Sequence, residues 1–169
     1  LTDQEFNGQS DTEVILSAIE YWGVEYALQR FIGMFAFALW DRTERELVLV
    51  RDRLGIKPMY WSMQCGRLIF ASELKAFRAY SPWSPMIDRN ALAAFMRWNY
   101  VPTPHSIYKN VHKLAPGTLL RMRQGDSPDI SKWWNFRDFI KSFSLTTDPL
   151  PTLIKNESFL IFLKKFESK

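Results

Sequence analysis

Asp11 sits in the stretch Ser10-Asp11-Thr12-Glu13, in the first turn of a predicted helix. In its ordinary role such a residue satisfies free amides and the positive end of the helix dipole. Glu13 fits the structural role: the Ser10 hydroxyl is expected to accept from the Glu13 amide while the Glu13 carboxylate reaches back to the Ser10 amide. Cys65 is the single thiol of the chain and precedes Gly66 in a predicted hairpin turn. As a plain thiol in such a turn it reads as inert. His105 and His112 stand too far from other candidate ligands to suggest a metal and read as surface or hinge residues. Asp41, Arg51 and Asp52 read as a structural ion-pair cluster at strand ends. No zinc, calcium or glycine-rich phosphate signature occurs, and no metal ligand is assigned.

The elements that must carry these residues are dense in apolar side chains. Of 169 residues 47% are hydrophobic and 15% aromatic, which excludes a disordered chain and suits one domain with a sizeable core. The longest apolar runs fall short of the roughly 20 residues of a membrane helix, so no membrane partner is expected. A lone cysteine excludes an internal disulfide framework and fits a reducing compartment, hence a cytoplasmic expectation. The net charge of +4 is spread among acids instead of forming a basic block, which argues against nucleic acid.

Val14, Ile15, Ala18, Ile19 and Trp22 recur at helical spacing from the Ser10 cap, Gly23 ends the run, and Tyr26 to Phe31 make a second helical segment. In Gly33-Met-Phe-Ala-Phe-Ala-Leu-Trp40 both parities are apolar, which predicts a strand buried on both faces. Asp41 to Arg45 is a polar turn, Glu46 to Val50 a strand, and Met59 to Met63 with Leu68 to Ala71 a hairpin about Cys65-Gly66. Glu73 to Tyr80 reads as a helix. Asp88 caps another, whose Ala91, Leu92, Phe95, Met96 and Trp98 would line an apolar face. Val101 to Ser106 is extended and punctuated by proline, and Thr118 to Arg123 is a last strand. Short turns make these strands antiparallel, and their two apolar faces call for a layer on each side, giving an α+β architecture. The compact domain is expected to end near Gln124. Trp133, Trp134, Phe136, Phe139 and Phe143 in Ser131 to Ser144 read as a docking segment, and Phe159 to Lys169 as a short apolar and basic run with no core to join.

Five blocks carry a resemblance: SDTEVIL at Ser10, GMFAFALWD at Gly33, RDRLGIKPMYW at Arg51, LIFASELKA at Leu68 and YVPTPHSIYKNVHKLAPGTLL at Tyr100. In unbroken order over Ser10 to Asp138, the chain resembles the glutamine-dependent asparagine synthetases. The resemblance implies a class II glutamine amidotransferase domain of the N-terminal nucleophile hydrolase fold, a four-layer αββα sandwich with antiparallel sheets. In that family glutamine is hydrolysed to ammonia, which passes through an internal tunnel to a β-aspartyl-adenylate in a second, ATP- and Mg²⁺-dependent domain. It further implies that Asp11 binds the α-amino group of glutamine. Met34 and Ile56 would line the glutaminase end of the ammonia route, where a wall without acids cannot turn ammonia into ammonium; on pattern alone both are core residues.

The family nucleophile is a cysteine at position one, acting with its own α-amine, and Leu1 stands there instead. Neither the arginine that binds the glutamine carboxylate nor the Asn-Gly oxyanion segment precedes the Ser10 block, since Asn7-Gly8 lies too close to it, and no SGGxDS-like pyrophosphate loop follows. The expectation is therefore a fragment truncated at both ends and lacking its first strands. Residues 1–124 would be the second half of the amidotransferase domain with a connector helix, and residues 125–169 a linker toward a missing synthetase domain with a divergent tail. Such a fragment is expected to be inactive by itself, to take ATP and Mg²⁺ only as part of the full family enzyme, and to pair with the synthetase domain, a full-length homologue or a second copy. Two rival readings keep these residues: an amidotransferase acting on a sugar or antibiotic precursor, and a docking paralogue without catalysis.

Overall fold

Ser10 is extended (φ −92°, ψ 131°) and its hydroxyl accepts from the Thr12 amide at 3.3 Å, which starts α1 (Asp11–Trp22) in a computed structural model describing residues 10–144. The cap differs from the expected box. A serine oxygen can serve the second or third amide of a helix, and here it takes the second, while the Glu13 amide donates to the Ser10 carbonyl at 3.1 Å. Gly23, at φ 75°, donates its amide to the Ile19 carbonyl and closes α1 without the steric cost a Cβ would bring. The second helix, α2 (Val24–Arg30), starts two residues before its expected position, and its Ala27 and Leu28 are fully buried.

The chain divides into two compact units, Leu1–Gly33 with Phe136–Lys169, and Met34–Asn135. The first holds α1, α2 and α4 (Phe136–Ser144). The second contains β1 (Ala36–Asp41), β2 (Glu46–Arg51), β3 (Tyr60–Gln64), β4 (Arg67–Ala71), a 3₁₀ helix (Leu74–Ala79), α3 (Arg89–Trp98), β5 (His112–Lys113), β6 (Thr118–Arg123) and β7 (Asp129–Lys132). Every strand pair is antiparallel: one sheet runs β1-β2-β6-β7 and the other β4-β3-β5.

Strand periodicity explains how the sheets meet. Leu47 and Leu49 of β2 with Leu120 and Met122 of β6 face one way, and they pack with Met59, Trp61, Leu68 and Leu114 between the two sheets. The opposite parity of β3 and β4, Tyr60, Ile69 and Ala71, packs with Phe77, Trp83 and Val111, so the second sheet is covered on both faces. In the first sheet the two inner strands are buried on both faces: Val48, Leu49 and Val50 of β2 and Leu119 and Leu120 of β6 are all fully buried. This corrects the expectation for Met34 to Trp40: β1 is an edge strand, and Trp40 is 51% exposed. An apolar parity tells which side chains avoid water in the assembled fold, not which strand stands at the edge.

Glu73 to Tyr80, expected as a helix, is the shorter 3₁₀ turn that inserts Phe77 beside Trp83. Asp88 caps α3 as expected, accepting from the Asn90 and Ala91 amides. Of the apolar face expected on α3 only Ala91 is buried, and Leu92, Phe95, Met96 and Trp98 are exposed. The sheet continues past Gln124 through β7. Trp133 is 7% exposed and stacks on Phe35 with ring centroids 6.0 Å apart, so it is a core residue and not part of an open docking segment; Phe136 and Ile140 are exposed. The Phe143 side chain, Leu1, Asn7-Gly8 and the Phe159 to Lys169 run lie outside the described residues. Among the described residues no helix is long and apolar enough to cross a membrane.

Candidate functional site

The turn between β2 and β3 carries the densest polar geometry of the second unit. Asp52 is 1% exposed, and its carboxylate collects the loop's amides: Oδ1 accepts from Leu54 at 3.1 Å and Ile56 at 3.0 Å, and Oδ2 from Lys57 at 2.9 Å. Arg51 takes the carbonyls, donating from Nε to Lys57 at 2.9 Å and from its two terminal nitrogens to Leu114 and Gly55. Burial pulls the Arg51 guanidinium below its ordinary pKa, with the neighbouring Asp52 and Tyr60 pulling the other way. Gly55, at φ 65°, is required here, because a Cβ would lie 2.7 Å from the Pro116 ring.

The expected ion-pair cluster of Asp41, Arg51 and Asp52 is thus replaced by three separate main-chain roles. Asp41 accepts from the Thr43 and Glu44 amides in the β1–β2 turn, and the other two hold the loop after β2. Their adjacency in sequence suggested charge pairing, whereas a short loop folded back on its own strand end presents amides to one and carbonyls to the other.

Of the residues read as functional, Asp11 is the first residue of α1, exposed, in the first unit. Met34 and Ile56 belong to the second unit, 43% and 41% exposed respectively, so neither is a core residue among the described residues. Phe35, next to Met34, accepts the Asp52 amide through its carbonyl at 2.8 Å, and Ile56 donates to the Asp52 carboxylate. Cys65 is exposed at φ 50° in the β3–β4 turn.

His105 and His112, read above as surface or hinge residues, form an isolated antiparallel bridge. The His112 ring lies 4.9 Å from that of Trp61, and burial followed by the charge of His105 holds its pKa below the ordinary histidine value. Among the described residues no group of three or more His, Cys, Asp or Glu side chains converges as a metal site. Asp52 and Arg51 are the residues whose roles sequence reasoning missed; the signal was the Arg-Asp pair immediately before Gly55 and Pro58 at a strand end.

With this geometry in place, likeness to known proteins becomes informative. The profile of the glutamine amidotransferase domain matches residues 1–134. Asparagine synthetase (glutamine-hydrolysing) 1 of Bacillus subtilis is 36% identical over 118 residues, covering 70% of this chain and 18% of that protein. Amidase chyE of Penicillium rubens is 29% identical over 134 residues, covering 78% of this chain and 19% of that protein. The chain therefore spans about a fifth of the length of the curated relatives it matches. Among solved structures, glutamine phosphoribosylpyrophosphate amidotransferase from B. subtilis superposes with a TM-score of 0.56 at 19% identity, over 79% of this chain and 24% of that one. That likeness shows the fold: helices with antiparallel sheets, as in the N-terminal nucleophile hydrolase amidotransferases.

Proposed function

The chain belongs to the glutamine amidotransferase domain family, and from that premise we propose that it forms part of the ammonia-producing half of a glutamine-dependent asparagine synthetase. The observation that carries this reading is the match over residues 1–134, supported by the synthetase relative. In it Asp11 supplies a fixed anion opposite the α-ammonium of glutamine. Met34 and Ile56 supply an apolar wall past which ammonia travels as the neutral base, because neither side chain can donate a proton. Cys65 is not the nucleophile: its nitrogen is in a peptide bond within a hairpin turn.

ATP would supply activation of the acceptor's carboxyl group. The residues described here do not fit ATP or Mg²⁺: no converging carboxylate set is present among them, and no glycine-rich loop leads into one of their helices. No step through either is assigned to this chain. The acceptor is aspartate in this proposal. The amidase relative favours a second reading, in which the same glutamine-handling half serves a different acceptor. The cytoplasm, a homodimer and an association with a synthetase portion all belong to the proposal.

The test is calorimetric binding of L-glutamine to the protein isolated from its source, beside its Asp11→Asn variant. Wild-type binding weakened about tenfold or more by the substitution is expected, from loss of a charge-assisted hydrogen bond. A folded wild-type protein that binds no glutamine would sink the proposal. Equal affinity in the two proteins would remove Asp11 from it.

A further inference from the structure

We infer that Asp52 is a positioning residue, joining the two backbone segments that carry Met34 and Ile56 and so holding the apolar wall in register. The functional meaning of that register rests on the amidotransferase reading above; the clip itself does not. Every polar atom of Asp52 is committed. Its amide donates to the Phe35 carbonyl at 2.8 Å, the residue after Met34. Its carbonyl accepts from Gly55 at 3.0 Å and Gly117 at 2.9 Å, and its two carboxylate oxygens accept from Leu54, Ile56 and Lys57. Three N–H donors aimed at one side chain match an ionised carboxylate, which only accepts; an amide in its place would turn an N–H₂ group against one of them.

Arg51 holds the opposite edge of the same loop through the Gly55 and Lys57 carbonyls. The backbone from Leu54 to Lys57 is therefore gripped from both sides, yet the Leu54 and Ile56 side chains it presents are exposed. A buried charged residue spent on a loop whose apolar side chains stand about 40% exposed places those side chains as it holds the backbone.

The test uses amide hydrogen exchange on the wild-type chain and on Asp52→Asn. In the wild type the amides of Leu54, Ile56 and Lys57 should exchange together and more slowly than those of Thr43 and Glu44, which also donate to a carboxylate but an exposed one. In Asp52→Asn their protection should fall by at least about tenfold while the Leu49 and Leu120 ladder amides keep theirs, because only one charge-assisted cluster is lost. Wild-type loop amides as fast as Thr43 would overturn the clip, and this comparison needs no variant to fold. Unchanged loop protection in a folded Asp52→Asn, or equal loss at Leu49 and Leu120, would overturn it too.

A second readout separates the clip from the amidotransferase reading. In the protein isolated from its source, joined to the synthetase portion that the proposal gives it, the ratio of glutamate released to amide formed should rise in Asp52→Asn, a split that loss of stability alone does not produce. A coupled wild type with an unchanged ratio in the variant refutes the positioning role; a wild type inert toward glutamine refutes the proposed function, leaving the exchange result to decide the clip.

Discussion

Gly117 illustrates how much one backbone position can be asked to do. Its amide donates to the Asp52 carbonyl, its own carbonyl accepts from Trp133 and Trp134, and its φ is 62°. A Cβ there would lie 2.5 Å from the Trp134 carbonyl oxygen, a backbone atom that cannot swing aside. Gly117→Ala is therefore expected to cost roughly 2–4 kcal/mol, from the left-handed conformation and the displaced strand together. Gly66→Ala, at φ 72° but facing open space, should cost only about 1–2 kcal/mol. Urea denaturation of the two variants checks this, and equal losses would refute the steric part. At this scale the sequence was legible where a residue acts on its own segment. Asp88 as a helix cap and Gly23 as a helix stop follow from neighbours a few positions away. Asp52 was misread because spacing does not say whether a carboxylate meets a cation or the amides of its own loop.

Elements were legible in proportion to how local their pairing is. The hairpins β1–β2 and β3–β4 follow from a turn and two flanking apolar runs, and both formed. The pairing of β2 with β6, and of β3 with the two-residue β5, joins segments remote in sequence, so no turn announced it. A more local bridge brings His105 against His112 at the β5 edge, where the Lys113 amide donates to the Pro104 carbonyl and its ammonium to the Val101 carbonyl. Burial, then His105, depresses the folded His112 pKa; burial, then Arg51, depresses that of Lys113. For His112 the unfolded chain binds the proton more readily than the folded one. Its contribution is thus fully present above about pH 6.5 and is lost as pH falls from there through the folded value. The urea midpoint of the wild type should drop over that window more than that of His112→Gln. Parallel curves for the two proteins would show that His112 carries none of the dependence.

For the molecule as a whole, fold class was read correctly from strand and helix signals, but the distribution of burial was not. Apolar residues on α3, and Trp40 at the end of β1, are not covered by their own sheet or helix neighbours: in the described residues Leu92, Phe95, Met96, Trp98 and Trp40 stand exposed. Stability has to come from elsewhere, and two core clusters of described residues lie within Met34–Asn135: Leu49, Met59, Leu114 and Leu120 between the sheets, and Phe77, Trp83 and Val111 behind the second sheet. Among the described residues both sheets, with their outer strands β1, β7, β4 and β5, fall in the same stretch. Proteases cut where backbone can open without exposing a core, so brief digestion should cleave near Gly33 and just after Asn135, leaving a protected fragment of about that span. The loop from Asp52 to Pro58 is the informative exception. Being a surface connection with exposed Leu54 and Ile56, it would ordinarily be an early cut, yet its amides and carbonyls are bonded inward to Asp52 and Arg51. Mass spectrometry of the digest should find that loop intact while the fragment persists. A first cut between Leu54 and Lys57 would mean that the grip of Asp52 and Arg51 is too weak to hold Ile56 in place.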